Sequence, residues 1–373
     1  MLCSQVTNGA GQTPYGPRPE GRTEMERKVK ELIDRLEKNH TLDTAEYAVL
    51  IRERTPETAG YLARKADALR RSIYGNSIYI RGLIEISSCC KNNCLYCGIR
   101  RGNRECERYR LTPEQILECC AQGYALGFRT FVLQGGEDPG FSDELVCQTV
   151  RAIRNRFPDC AVTLSLGEKS PETYRLYHEA GAERYLLRHE TADPVHYRKL
   201  HPREMSWVHR MDCLHVLRKT GFQVGCGFMV GSPFQTAECL AADLKFLEEF
   251  QPEMCGIGPF IPHHGTPFRE YPAGTPELTV YLLSLIRLIL PGVLLPATTA
   301  LGTIAPDGRE QGILAGANVI MPNLSPAFVR KKYELYDNKL CTVDESAQNC
   351  ASLRRRMEKI GYEIVTGRGD PAV

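Results

Sequence analysis

Three cysteines on one short loop constrain this chain more than any other feature. They form a C-x3-C-x2-C triplet, Cys90-Lys91-Asn92-Asn93-Cys94-Leu95-Tyr96-Cys97, directly behind the run Ile78–Ser87. Soft thiolate sulfur suits iron, and spacing this close aims all three ligands at one cubane. Three thiolates are one too few to saturate a 4Fe–4S cluster, so one iron stays open to another ligand. A zinc knuckle, the plain alternative, needs a fourth ligand that the loop does not supply. Cys89 offers a second register, but four residues separate it from Cys94. Cys90, Cys94 and Cys97 are therefore the expected metal ligands.

At 373 residues the chain can bury a large core, as one big α/β domain or two ordinary ones. Lys plus Arg number 47 against 45 Asp plus Glu, so no nucleic acid or other polyanion is indicated as a partner. Sixteen cysteines are scattered through a long chain, without the density of a small disulfide scaffold. Residues 1–22 are rich in Gly, Pro and Thr, lack the apolar core of a signal peptide and read as a disordered leader. The longest apolar stretch, Tyr281–Leu290, is too short and too charged to span a membrane. A reducing cytoplasm fits these features.

Residues 23–76 read as a helical cap. Thr23 and Glu26 form a capping box ahead of Met25, Val29, Leu32, Ile33 and Leu36 at helical spacing. A second helix is expected over Thr44–Arg52, and a third from Thr55-Pro56 to about Ile73, stopped by Tyr74-Gly75-Asn76. From residue 77 to 325 short β-rich runs alternate with amphipathic stretches, which argues for parallel βα units. Strands are expected at Ile78–Ser87, Thr130–Gln134, Ala161–Leu166, Arg184–Glu190, Val224–Val230, Cys255–Pro262, Leu294–Thr299 and Asn318–Pro322. Helices are expected at Pro113–Leu126, Asp143–Phe157, Pro171–Ala180, Trp207–Thr220, Ala237–Phe250, Pro276–Leu290 and about Asp307–Ala315. Eight such strands fit a complete (βα)8 TIM barrel, closed by a C-terminal segment over 326–373. An open doubly wound sheet is the alternative, but no G-x-G-x-x-G opens the first helix.

A barrel builds its site at the C-terminal strand ends, and polar residues crowd those ends here. Gln134-Gly135-Gly136-Glu137-Asp138 pairs glycines that permit close backbone approach with a carboxylate able to accept from an ammonium. Glu168, after the third strand, can accept from ribose hydroxyls. Arg188, in the apolar run Tyr185-Leu186-Leu187-Arg188, needs an anion, either a ligand carboxylate or an internal partner at Glu168 or Glu190. His189 reads as a hydrogen-bonded structural residue, and His263-His264 as a surface loop feature. Thr298, Thr299 and Ala300 end the seventh strand with small side chains and hydroxyl donors suited to an anionic ligand, or to strand packing. Asn323 brings an amide to the same mouth.

The strings CKNNCLYCG, RYRLTPEQI, VLQGGEDP, TLSLGE, RYLLRHETADP, GIGPFIPH, PATTALGTI and GANVIMPNLSP together resemble the HydE family of radical S-adenosylmethionine (SAM) maturases of FeFe-hydrogenase. The cysteine spacing alone matches only the radical-SAM superfamily. The resemblance runs from about residue 24 to 362. It implies a complete barrel, SAM chelated at the open iron, and reductive cleavage of SAM to a 5′-deoxyadenosyl radical. It also implies action on an iron–carbonyl–cyanide–cysteine complex, with partner hydrogenase maturases and an electron donor. Gly135, Gly136 and Glu137 match the SAM-binding turn, and Glu168 and Arg188 match SAM-contacting positions, with Tyr96 and Glu190 completing the set. Thr298, Thr299 and Ala300 match an anion-holding wall, to which Asn323 adds. Tyr336 matches a tyrosine near the reacting carbon, so Tyr336, Thr298 and Thr299 are the expected catalytic residues.

Some relatives carry a second cluster on C-x7-C-x2-C. Here Cys341 is followed at those positions by Asn349 and Ser352, with Cys350 out of register, so one cluster is expected. Biotin synthase and methylornithine synthase share the barrel, and an amino-acid mutase of the latter type is the alternative activity.

Anaerobic reconstitution is expected to give one 4Fe–4S cluster whose reduced EPR signal changes when SAM is added. Cys90→Ala, Cys94→Ala and Cys97→Ala should each abolish it, whereas Cys89→Ala should keep it. The reverse result for Cys89 and Cys90 would show the ligand register to be wrong.

Overall fold

The structure, a computed structural model, describes residues 19–340 and 350–372. Four helix starts pair a hydroxyl residue with proline: Thr55-Pro56, Thr112-Pro113, Ser170-Pro171 and Thr275-Pro276. In each, the hydroxyl is the N-cap and accepts from a backbone N–H of the first turn. Proline follows, where no intrahelical donor is needed. The resulting helices Pro56–Tyr74, Pro113–Ala125, Pro171–Glu179 and Pro276–Ile289 end about where the sequence expects. Trp207–Thr220 and Ala237–Phe250 match at both ends. The first helix differs. It runs Pro19–Asn39, so Thr23 and Glu26 lie inside it rather than at its cap. Residues 19–22 of the expected leader belong to that helix, and residues 1–18 lie outside the described residues.

Among the described residues eleven strands follow: β1 (Ser77–Ile80), β2 (Gly82–Ser87), β3 (Thr130–Gly135), β4 (Ala161–Ser165), β5 (Arg184–Leu186), β6 (Gln223–Cys226), β7 (Met229–Val230), β8 (Met254–Cys255), β9 (Gly258–Pro259), β10 (Val319–Ile320) and β11 (Glu363–Val365). One six-stranded parallel sheet runs β2-β3-β4-β5-β6-β8, beside the smaller sheets β10-β1-β11 and β7-β9. All six residues of β2 are buried, as parallel strands covered on both faces require.

Several expected strands are interrupted. Ile78–Ser87 divides at Arg81 into β1 and β2. Val224–Val230 and Cys255–Pro262 both break at a glycine, because Gly227 and Gly256 meet backbone to backbone. A Cβ on Gly227 would lie 2.0 Å from the Gly256 oxygen. Arg184–Glu190 keeps its ladder only to Leu186, with one further bridge from Glu190 to Phe228. Leu294–Thr299 is not a ladder strand. Leu294 bridges Met254 and Pro296 bridges Val319, proline has no N–H with which to extend the ladder, and the helix Thr299–Ile304 begins where the strand was expected to end.

The N-terminal helices cover a flank of this array. Tyr281 donates to Leu50 O at 2.9 Å, and Tyr74 donates to Gly292 O at 2.5 Å. At the N-terminal strand ends, the C-terminal tail crosses beneath the sheet. Thr130 Oγ1 donates to Arg368 O at 2.7 Å, and the buried Arg184 donates through Nη2 to Asp370 Oδ1 at 2.6 Å.

Burial alone would raise the Asp370 pKa, but its hydrogen bond to Arg184 and the charges of Arg184 and Arg368 hold it below the usual carboxylate range. A depressed folded-state value means that the stabilisation is present above an unfolded-state pKa of about 3.9 and is lost as pH falls through the folded value. Asp370→Asn should therefore destabilise the fold modestly at neutral pH, by less than about 1 kcal/mol because solvent screens the half-exposed carboxylate, and the difference from wild type should vanish in acid. Urea midpoints across pH check this.

Candidate active site

β2 delivers the chain into the cysteine loop at Ser87, and three distant segments hold that loop by four backbone hydrogen bonds. Gly136 N donates to Ser87 O (3.1 Å), Lys91 N to Glu137 O (2.9 Å), Leu95 N to Leu200 O (3.0 Å) and Gly98 N to Leu335 O (2.8 Å). A Cβ on Gly136 would sit 2.2 Å from Cys89 O, so a glycine there lets the turn after β3 reach the loop backbone. The Cys89 sulfur faces Tyr109 O at 3.9 Å.

Burial pushes the Cys94 thiol up to about 12, the Cys97 thiol well up and the Cys90 thiol up, and neighbouring thiols add to the shift at Cys94 and Cys97. Iron would reverse that preference, because a metal cation stabilises the thiolate that burial disfavours. Among the described residues the only group of three whose ligand atoms all lie within 4.8 Å is His263, His264 and Asp337. Three soft thiols on one short loop fit an iron–sulfur cluster by the chemistry of the donors.

Charged side chains surround the loop. Glu137 accepts from the Glu168 N–H at 3.0 Å through Oε1, and its Oε2 lies 3.3 Å from Lys91 Nζ. Glu168 lies 2.7 Å from Arg210 Nε and 3.6 Å from His209, and burial raises its pKa against the pull of Arg210. The alternatives left open for Arg188 resolve toward Glu190, at 3.2 Å, not Glu168. Both ion pairs are close but poorly aligned. Arg188 Nε and Nη2, Glu190 Oε2, Glu168 Oε1 and Arg210 Nε are all buried without a hydrogen bond of good geometry. Such groups are costly in isolation and retain directional capacity for a polar ligand.

Tyr96 meets His201 Nε2 at 3.1 Å, while His201 Nδ1 meets Tyr197 O at 3.0 Å. A carbonyl only accepts, so Nδ1 carries the proton and Nε2 accepts from the Tyr96 hydroxyl. Burial, then the charge of Arg210, lowers His201 to about 3, so the ring is neutral.

At the mouth the threonine hydroxyls have partners within the protein. Thr298 is the N-cap of the helix Thr299–Ile304, its hydroxyl accepting from Leu301 N at 3.4 Å, and Thr299 Oγ1 accepts from Arg309 at 3.4 Å. Ala300 lies in the same helix. Asn323 is engaged as well: its Nδ2 donates to Glu85 Oε2 at 3.0 Å and its Oδ1 accepts from Ser325 N at 2.8 Å. Glu85, fully buried, also pairs with Lys339 Nζ, which donates to Tyr333 O at 2.8 Å. Tyr336 lies on the turn between Leu335, tied to Gly98, and Asp337, whose N–H donates to Pro262 O at 3.0 Å and whose Oδ1 meets His264 Nδ1 at 2.6 Å. His189 is structural as expected, buried against Asp243 at 3.3 Å.

Arg210, His201, Glu85 and Lys339 are the residues that the sequence reading missed. Two carried a signal. Arg210 shares a helix stripe with Cys213, Leu214 and Leu217, and Glu85 interrupts the apolar run Ile84–Ile86. Lys339→Met should destabilise the protein by about 3 kcal/mol, because it strands the buried Glu85 carboxylate. Combining it with Glu85→Gln should restore most of the loss, as read from denaturant midpoints.

Residues 84–247 match the family model described as the Radical SAM superfamily. The chain is 43% identical over 333 residues to the FeFe-hydrogenase maturase subunit HydE of Thermotoga maritima, covering 89% of this chain and 94% of that one. It is 28% identical to 3-methylornithine synthase of Methanosarcina acetivorans over 81% of this chain and 84% of that one. A solved methylornithine synthase superposes with a TM-score of 0.79 at 26% identity, covering 90% of this chain and 97% of that one. Radical-SAM enzymes use a 4Fe–4S cluster and SAM, the two groups that the buried thiols and the charged side chains around them suit. With this identity along nearly its whole length, and a cysteine loop set in an α/β fold of parallel strands, the chain belongs to the HydE family of radical-SAM FeFe-hydrogenase maturases.

Proposed function

We propose that this chain helps assemble the di-iron site of FeFe-hydrogenase by acting on an iron–carbonyl–cyanide–cysteine precursor supplied by a partner maturase. The observation that carries the reading is the near full-length identity to the Thermotoga maritima maturase. Cys90, Cys94 and Cys97 would hold a single 4Fe–4S cluster; the second-cluster positions Cys341 and Asn349 lie outside the described residues. When bound, the reduced cluster and SAM supply a 5′-deoxyadenosyl radical.

The protein's own part is to bind, orient and exclude water. Glu137 would exchange Lys91 for the SAM ammonium, beside the close backbone approach at Gly135 and Gly136. Arg188 would turn from Glu190 to the SAM carboxylate, and Glu168 would take the ribose hydroxyls while Arg210 holds it. Tyr96, fixed by His201, would wall the same recess. Thr298, Thr299, Ala300 and Asn323 would line the precursor's side of the mouth, with Tyr336 beside the reacting carbon.

The bridges Met254–Leu294, Pro296–Val319 and Leu83–Asn323, with the pairing of β1 and β10, support closure of the strands into a complete eightfold barrel. We take residues 77–325 as that barrel, 23–76 as its helical extension and 326–373 as its closing segment. A reducing cytoplasm would suit the cluster, and among the described residues no helix is long and apolar enough to cross a membrane.

With dithionite and SAM alone, slow formation of 5′-deoxyadenosine is expected. Adding the iron–carbonyl–cyanide–cysteine complex should accelerate it and support activation of apo-hydrogenase. Thr299→Val should impair activation more than uncoupled SAM cleavage. Thr298→Ser should be mild, since it keeps both the helix cap and the hydroxyl. The similarity of fold to methylornithine synthase favours one rival, an amino-acid mutase. Conversion of lysine to methylornithine, with no response to the iron complex, would establish that rival instead.

A further inference from the structure

The three sulfurs of the cysteine loop do not share one environment. Backbone N–H groups of Asn92 and Glu137 face the Cys90 sulfur, and that of Ile99 faces the Cys97 sulfur, each favouring the thiolate. Cys94 differs. Arg210 favours its thiolate by charge, and among the described residues no backbone N–H meets its sulfur. What meets it is the thioether of Met205, with the two sulfur atoms 3.7 Å apart.

Met205 is brought there by the connection between the helices Pro194–Leu200 and Trp207–Thr220, which runs along the cysteine loop. Leu95 N donates to Leu200 O at 3.0 Å, and the Tyr96 hydroxyl meets His201 Nε2 at 3.1 Å. A turn follows, closed by Met205 N donating to Pro202 O at 3.0 Å, and Ser206 then caps the next helix by accepting from His209 N at 3.3 Å. Arg203, Glu204 and Ser206 are exposed, whereas Met205 between them is half-buried. One apolar side chain turned inward from a run of exposed polar ones is placed by what it covers. Cys94 itself is fixed from elsewhere. Arg100 donates through Nε to Cys94 O at 3.0 Å and through Nη2 to Asn93 O at 3.3 Å, so the cysteine backbone is held without help from Met205.

We propose that Met205 is a positioning residue that keeps water and hydrogen-bond donors off the Cys94 sulfur and so holds the cluster at a low reduction potential. The inference rests on the radical-SAM reading of the cysteine loop. A thioether has no hydrogen to donate, and its polarizable sulfur tolerates close contact with another sulfur. Hydrogen bonds to cluster sulfurs and access of solvent both set the potential, because each stabilises the more negative, reduced state. Cys90 and Cys97 already face peptide donors, and Cys94 is the corner without one. Cleavage of SAM is a one-electron reduction, so a cluster of lower potential gives it more driving force.

The test compares the full-length wild type with Met205→Gln and Met205→Leu, each reconstituted anaerobically. Glutamine keeps the length of the side chain and adds N–H donors, whereas leucine keeps an apolar cover without sulfur. Potentiometric titration followed by EPR reads the midpoint of the cluster. Met205→Gln should raise it, so that the ratio of reduced to oxidised cluster at a fixed applied potential grows by roughly two- to tenfold, the worth of one net hydrogen bond to the reduced state. Met205→Leu should stay at the wild-type midpoint. Met205→Ser, which uncovers the sulfur to water, should also raise the midpoint, and it decides the matter if the glutamine variant assembles too little cluster to titrate. Equal midpoints in the glutamine, serine and wild-type proteins would overturn the proposal. So would a shift in Met205→Leu as large as in Met205→Gln, since the thioether itself and not the exclusion of donors would then be the cause. A wild type that assembles no 4Fe–4S cluster would overturn the proposal together with the radical-SAM reading, whereas a cluster that cleaves SAM and ignores all three substitutions overturns the proposal alone.

Discussion

Taking charge out of water is the constraint on which this structure turns. Glu137, Glu168, Arg210, Arg188 and Glu190 surround a loop whose three cysteines are half-buried. None of these groups would be tolerated there singly. Each is answered by another, and the answering partners come from the turns after β3 and β4, the loop after β5 and the helix Trp207–Thr220. Matching charges therefore draws the βα units that follow β3, β4 and β5 to one rim of the sheet. The imperfect alignment of the Arg210–Glu168 and Arg188–Glu190 pairs leaves room for a zwitterionic ligand to improve on it.

The C-terminal region uses the same principle at both ends of the strand array. Lys339 enters from the mouth to meet Glu85, and the tail enters from below, where Asp370 meets Arg184. Such a pair, buried on both sides at Glu85 and Lys339 and on the arginine side at Arg184, gives little net stability but strands a buried charge when its partner is lost. It is suited to specifying where a loosely structured segment must go. The segment that Lys339 anchors carries Tyr336 and lies across Gly98 of the cysteine loop, so fixing it also shapes the site.

Family membership and fold meet in the division of labour this arrangement permits. The hard chemistry belongs to the bound groups, and the chain contributes confinement, orientation and access.

The sequence by itself determined the spacing of the cysteine loop, the βα alternation and most helix boundaries, because each rests on local physics: the order of residues, hydrophobic period and Ser/Thr-Pro capping. It also exposed the cations and carboxylates at the strand ends, though not how they pair. Only the tertiary structure decided that Arg188 faces Glu190, that Arg210 holds Glu168, and that Asn323 and Lys339 share Glu85. Residues from opposite ends of the chain meet there, and no local pattern encodes their distance. The same limit explains Thr298, a strand end by composition and a helix cap in fact. Pro296 ends the ladder by lacking an N–H, and the orphan donors of the helix that follows recruit the hydroxyl.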